Sequence, residues 1–346
     1  MECPLLTGSE LTLLKAPLNV HWEVTNKCNL NCIHCYQLDD QADLRGPSSE
    51  RLKLIASRII EAQVFELTIT GGEILLVRGL LELLDLFNSH SIRPHITSNG
   101  TLVSDEVAAE LSSRELTFQV SVDSADPAVH DSIRGRPGAF ARAINGIRRL
   151  LAHDVPASIS FTTMPMNLGS ASGVIQLAES LGVRRVCIGA VLPMFGTQAE
   201  SLTIERNALR DEVLRLLDLK SKFEGRVDIQ LALNDLGRLA GDDLVACMRC
   251  TALERDLAIL HDGSAYPCPF VRNTQYRLGS VIDTSIEVLW NGDIANQFRT
   301  ERDIRQTRHC LSRSSASAGL GDGSMRSVAE IRGQNLLMNG SSRDGK

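Results

Sequence analysis

Cysteine spacing is the first chemical signal in this chain. The stretch Cys28-Asn-Leu-Asn-Cys32-Ile-His-Cys35-Tyr36 places three of the nine cysteines within eight residues. Thiolates are the ligands that iron–sulfur clusters take, and a short loop can wrap three corners of a cubane with its sulfurs turned inward. The fourth iron then has no local protein ligand. An iron left open in this way can chelate an amino-acid headgroup, and a reduced cluster beside a sulfonium supplies the electron that breaks a carbon–sulfur bond. Two plainer alternatives use the same residues. A structural zinc loop closes on four ligands, commonly from paired Cys-x-x-Cys knuckles, and the three-residue gap from Cys28 to Cys32 suits it less well. Three merely buried thiols would need no particular spacing.

A second group of cysteines lies far downstream. Cys247-Met-Arg-Cys250 is followed by Gly263-Ser-Ala-Tyr-Pro-Cys268 and later by Cys310. Leu257-Ala-Ile-Leu260, the turn His261-Asp-Gly263 and Ser264-Ala-Tyr266 predict a hairpin whose closure brings Cys250 towards Cys268. Four cysteines suffice for one cluster or for a closed zinc tetrahedron. Cys3 and Cys187 read as a terminal thiol and a buried strand residue. The eight histidines form no close ligand pair.

The elements that must position these groups follow a βα rhythm. Short β-branched runs at Asn19–Thr25, Phe65–Thr70, Arg93–Thr97, Leu116–Val122, Ala157–Thr162 and Arg185–Val191 predict six strands. Leu52, Ile55, Ile59 and Ile60 recur at helical spacing with a cap at Ser48 or Ser49, and further helices are expected at Gly79–Asn88, Asp105–Ser112, Ala139–Leu151 and Ser172–Leu181. Strands joined by crossover helices form a parallel sheet, and ligands of such sheets gather at the strands' C-terminal edge. Thr25–Cys28, Gly71-Gly-Glu73, Ser98-Asn-Gly100 and Asp123-Ser124 all fall there. The fold class is α/β. The domains expected are a lead-in over 1–17, the βα region over 18–200, a helical linker over 201–245 and a small Cys-containing α+β extension over 246–312. The tail 313–346, rich in Ser and Gly, reads as loosely ordered.

Composition closes off other classes of function. A net charge of -6 offers no global positive field for a phosphate backbone, which argues against nucleic acid. The most apolar stretch, Ile74 to Phe87, is interrupted by Arg78, Glu82 and Asp85, so no membrane span is expected. The N-terminus lacks the pattern of a secretory signal, and a cytoplasmic protein with reduced cysteines is the expectation.

Taken together, these motifs resemble the radical S-adenosylmethionine (SAM) superfamily, whose Cys-x3-Cys-x2-Cys loop follows the first strand of a partial (β/α)6 barrel of TIM type. The likeness covers roughly residues 18 to 195. It implies a 4Fe-4S cluster on Cys28, Cys32 and Cys35, with SAM chelated to the open iron. Gly71, Gly72 and Glu73 resemble the motif that holds the SAM amino group, with Ile74 where a proline is usual. By the same resemblance Ser121 contacts ribose or carboxylate, Arg134 pairs with the carboxylate, Asn99 touches ribose and Tyr36 lies beside adenine. The downstream segment resembles SPASM and twitch extensions, which implies an auxiliary cluster on Cys247, Cys250, Cys268 and Cys310. The full SPASM pattern would repeat cysteines where this chain has Arg313, Gly319 and Gly323, so a complete second auxiliary cluster is not expected.

The resemblance implies reductive cleavage of SAM to a 5'-deoxyadenosyl radical that takes hydrogen from a substrate. It implies an electron donor such as flavodoxin or ferredoxin. Relatives with this extension commonly modify ribosomally made peptides, so peptide maturation is the first expectation. Tailoring of a small molecule, such as a tetrapyrrole precursor or an aminoglycoside-like alcohol, is the alternative. A metal-binding scaffold without catalysis is a third reading of another class.

Overall fold

The computed structural model describes residues 14–37, 46–192, 198–202, 204–232, 250–272 and 274–304. Strands β1 (Asn19–Glu23), β2 (Glu66–Thr70), β3 (His95–Ser98), β4 (Thr117–Ser121), β5 (Ala157–Thr163), β6 (Arg185–Ala190) and β7 (Asp228–Leu231) pair in parallel and in sequence order. Each pair is joined across one face by helices: α1 (Ser49–Glu61), α2 (Leu80–Ser89), α3 (Asp105–Ser112), α4 (Pro127–Arg134), α5 (Ala139–Ala152), α6 (Ala171–Leu181) and α7 (Arg206–Lys222). This is the βα repeat of a partial TIM-type barrel.

Alternation along the strands decides which side is which. Val20 and Trp22 align with Leu67 and Ile69. With Ile96, Phe118, Val120, Ile159, Phe161, Val186 and Ile188 they form a fully covered face under the helices. Phe87 of α2 meets Trp22 edge-on at 6.2 Å. Side chains of this kind contribute about 1.5–3 kcal/mol each on burial, far more than the helices' own propensities, so packing on this face holds the barrel wall. The alternate residues His21, Thr68, Thr97, Gln119, Ser121, Ser160 and Cys187 are polar or small and half-buried on the opposite, concave side. Cys187, expected as a buried strand residue, belongs to this side and reaches Gln230 Oε1 at 3.7 Å.

Local signals explain the helix ends. Ser48 caps α1 by accepting from Arg51 N–H, and Ser104 caps α3 by accepting from Val107 N–H. Asp126 caps α4 ahead of Pro127, and Gly135 closes it with a left-handed φ of 65°.

Two expectations need correction. The span 201–245 is not simply a helical linker, because β7 adds a seventh parallel strand beside β6. Its four residues, Asp-Ile-Gln-Leu, are too few for a period to show in sequence. The boundary expected near residue 200 is also not a break in the sheet. β8 (Asp256–Ile259) pairs in parallel with β1, and β9 (Ser264–Tyr266) and β10 (Gly279–Ser280) extend the sheet beyond it. Leu257, Ala258 and Ile259 are all buried, as a strand flanked on both edges requires. The expected hairpin over 257–266 is present, with Gly263 in its turn at a φ of 87°. Cys3, Cys247, Cys310, Arg313, Gly319, Gly323 and the Ser/Gly tail lie outside the described residues.

Candidate functional site

The cysteine loop leaves β1 at the C-terminal edge of the sheet and is gripped from two sides. On one side Gly72 N–H donates to Thr25 O and Glu73 N–H to Lys27 O, each at 2.7 Å. On the other, Asn31 N–H and Ile33 N–H donate to Arg134 O and Ile133 O at the end of α4, at 3.3 and 3.0 Å. Glycine is required at both contacts. A Cβ on Gly72 would stand 2.1 Å from Lys27 O, and one on Gly135 would stand 2.1 Å from Asn31 O. Between these grips Cys35 N–H donates to Cys32 O at 3.1 Å, which tightens the turn carrying the last two sulfurs.

The three sulfurs feel one another electrostatically. Burial, with Cys32, Glu73 and Cys35 adding to it, pushes the Cys28 thiol up to about 11 against the Leu30 N–H donor. Burial likewise raises Cys35, with Cys32 and Glu23 adding to it while the Gln37 N–H and Arg272 oppose. Left alone, such thiols stay protonated at neutral pH. The positive charge of bound iron is what converts them to thiolate ligands. Among the described residues no three His, Cys, Asp or Glu side chains converge on one point as a single metal ion needs. Three thiolates from one short loop are one ligand short of a closed zinc tetrahedron and match the all-thiolate donors of a cubane, so this donor set fits a cluster better than zinc.

Around the sulfurs stand polar side chains from four strand ends. Asn99 Nδ2 is 3.9 Å from Cys28 Sγ and donates to Asn29 Oδ1 at 2.8 Å. The Glu73 carboxylate is fully buried and already accepts from Leu75 N–H, Ser98 Oγ and Asn99 N–H at 3.1, 2.8 and 2.9 Å. Its visible role is to tie the second loop to the third. Burial raises its pKa, against those donors and Arg134. Ser121 ends β4 opposite Ser160 on the concave side.

Arg134 is more deeply engaged than sequence indicates. It is 7% exposed, its Nη2 stands 2.6 Å from Asp123 Oδ2, and its Nη1 reaches Cys32 Sγ at 3.7 Å. Its Nε is buried and has no hydrogen-bond partner among the described residues. Asp123 is wholly buried and also accepts from Thr162 N–H at 3.0 Å. Burial pushes its carboxyl up, but Arg134, His34, the Thr162 N–H and His130 outweigh that and hold it below the usual range. The expected roles singled out neither Asp123 nor His130. An aspartate immediately after a parallel strand was the available signal.

Tyr36 packs under the loop. Its ring meets Phe270 edge-on at 5.7 Å and lies 4.9 Å below the Arg272 guanidinium carbon. Both partners follow Cys268. Cys250 and Cys268 are half-buried and rest against the core at the two ends of the β8–β9 hairpin. Arg302, on the helix Asp293–Ile304 that leads towards Cys310, donates to Ala252 O at 2.8 Å. With Cys247 and Cys310 beyond the described residues, the structure brings two of the four expected auxiliary ligands into view.

The same division appears in the comparisons. The model of the radical SAM superfamily matches residues 22–181, and that of the SPASM iron–sulfur cluster-binding domain matches residues 250–312. AlbA, the antilisterial bacteriocin subtilosin biosynthesis protein of Bacillus subtilis, is 25% identical over 308 residues, covering 88% of this chain and 66% of its own length, just under two thirds. The mycofactocin maturase MftC of Mycobacterium ulcerans is 28% identical over 306 residues, covering 86% of this chain and 80% of its own. Streptococcus suis SuiB, solved with its precursor peptide SuiA, shares the fold with a TM-score of 0.72 at 15% identity, over 83% of this chain and 68% of that one. No helix among the described residues is long and apolar enough to cross a membrane.

Proposed function

Because this chain belongs to the radical SAM superfamily and carries a SPASM iron–sulfur domain, we propose that it matures a peptide by hydrogen abstraction. A 4Fe-4S cluster with SAM supplies, when bound, the 5'-deoxyadenosyl radical. The protein's own residues hold, orient and shield. Cys28, Cys32 and Cys35 would hold such a cluster through their three thiolates. Gly71 and Gly72 let a ligand approach the backbone, Arg134 offers its unpartnered Nε–H to a carboxylate, and Ser121 and Asn99 offer hydroxyl and amide groups to a ribose. Cys247, Cys250, Cys268 and Cys310 form the auxiliary ligand set. A low-potential one-electron donor such as flavodoxin or ferredoxin is implied, and thiolate ligands of this kind suit the reducing cytoplasm.

The observation that carries the reading is the three-cysteine loop, docked by Gly72 and Gly135 at the open edge of a polar concave sheet. Peptide as the substrate class is supported by AlbA and MftC, which align across both the barrel and the extension. The test is anaerobic reconstitution with SAM, a reductant and the peptides encoded near the gene, followed by 5'-deoxyadenosine and by peptide mass. A mass change that needs both SAM and one peptide is expected. Turnover of a tetrapyrrole or aminoglycoside-like compound with indifference to peptide replaces this reading. Reduced protein that holds SAM and never releases 5'-deoxyadenosine favours the scaffold instead. Cys32→Ala is expected to abolish SAM cleavage, whereas Cys268→Ala keeps cleavage uncoupled from product. Equal and total loss in both contradicts this division of labour.

A further inference from the structure

Arg272 touches the three-cysteine loop at both of its ends. Glu23, the last residue of β1, precedes Cys28, and its carboxylate forms an ion pair with the Arg272 guanidinium at side-chain exposures of 3% and 9%. Tyr36 follows Cys35 directly, and its ring lies 4.9 Å below the carbon of the same guanidinium. Phe270 meets that ring edge-on at 5.7 Å. A single side chain from the extension therefore lies across the base of the loop.

The turn that carries Arg272 is set by its own bonds. Val271 is 2% exposed in the core, and its N–H donates to Cys268 O at 3.2 Å. Arg272 Nε donates to Pro269 O at 2.8 Å. Both bonds stay within residues 268–272, so the guanidinium is aimed whether or not anything is bound at the loop. Its planar shape lets it meet a carboxylate with its edge and an aromatic ring with its face at once. Ordering a loop at the moment a ligand arrives subtracts from affinity, and ordering it in advance removes that cost. Gly72 and Gly135 already grip the loop's entry and middle, which leaves its exit, where Cys35 N–H donates to Cys32 O at 3.1 Å.

Resting on the radical SAM reading, we propose that Arg272 is a positioning residue that staples the exit of the three-cysteine loop to the end of β1, so that the loop is ordered before its cluster arrives. A buried ion pair adds little net stability, because desolvation offsets most of its attraction. What it supplies here is one fixed geometry at the loop's base.

The test uses the full chain, free of iron, reduced and anaerobic. Hydrogen exchange resolved to single amides by mass spectrometry compares wild type with Arg272→Met, Tyr36→Leu and their double variant. The Cys35 amide is expected to exchange about 2- to 30-fold faster in Arg272→Met, the span that a cation–π contact supports. Tyr36→Leu is expected to behave alike, and the double variant to go no further than the faster single one. The amides of β5 keep wild-type exchange throughout, because the barrel wall does not depend on the staple. Wild-type exchange at Cys35 in Arg272→Met overturns the proposal. So does an equal quickening in β5, which marks general loosening, and so does a double variant at the product of two independent factors. Should Arg272→Met strand the Glu23 charge and fail to fold, Glu23→Gln/Arg272→Met removes both charges and is read by the same criteria. After reconstitution, the fraction of Arg272→Met showing a SAM-responsive 4Fe-4S resonance is expected to fall below that of wild type, and equal fractions overturn the proposal. Wild-type protein without any such resonance defeats the radical SAM reading instead, while the exchange comparison stands by itself.

Discussion

Arg134 and Asp123 show how much of this site depends on single side chains. The pair is buried, and the guanidinium reaches both the Cys32 sulfur and the carboxylate. Asp123→Asn strands a buried cation, so a loss of about 3–5 kcal/mol is expected in anaerobic urea unfolding. Replacing both, as Asp123→Asn with Arg134→Met, is expected to recover most of that stability while SAM binding stays lost. A double variant no more stable than Asp123→Asn alone would show that the ion pair is not the cause. His130 gives a pH signature. Burial, then Arg134, lower its pKa to about 4, so the folded protein holds it neutral where the unfolded chain would charge it. Its contribution is complete above the unfolded value near 6.5 and is lost as pH falls through 4, on the order of 3 kcal/mol in all. In unfolding series between pH 7 and 4, His130→Gln is therefore expected to flatten the fall in stability, and an equally steep fall in the variant would refute the assignment.

Elements matter here through the few places where they touch the loop. Gly72→Ala and Gly135→Ala each drive a Cβ into loop backbone, in the second case at a left-handed φ of 65°. Such overpacking costs about 1–3 kcal/mol, and the loop yields before the barrel does. The expected result is a folded protein, judged by circular dichroism, with less than half the wild-type iron. Normal iron in both variants would show that the grips do not define the loop. Much of this arrangement was legible in sequence. The cysteine spacing marks the loop, Ser48 and Asp105–Ser112 fall where the caps and period put them, and Gly263 marks the hairpin turn. Other features were hidden for identifiable reasons. The strand Asp228–Leu231 is too short to show a period, and Pro127–Arg134, at eight residues, was not among the expected helices. The Glu23–Arg272 pair joins residues 249 apart, a relation that no local window contains. Arg134 could be recognised as a cation near the site, but its commitment to Asp123 depends on burial, which only the packed structure reveals.

At the scale of the whole molecule, the extension completes the barrel sheet. β8 covers the outer edge of β1, placing Asn19 beside Asp256 with a side-chain hydrogen bond of 2.8 Å. A chain ended at residue 232 would leave that edge open, with Trp22 and Val20 beside unpaired backbone, and open apolar edges aggregate. The expectation is therefore insoluble protein, measured as the soluble fraction after expression, and a soluble, monomeric truncation would disprove it. The same pairing also sets a timetable. The strand made first cannot gain its second neighbour until 237 more residues have left the ribosome, a wait of roughly 10–50 s at ordinary rates of synthesis. During that interval the nascent chain exposes the apolar edge of a half-built wall, the kind of surface that aggregates unless it is covered.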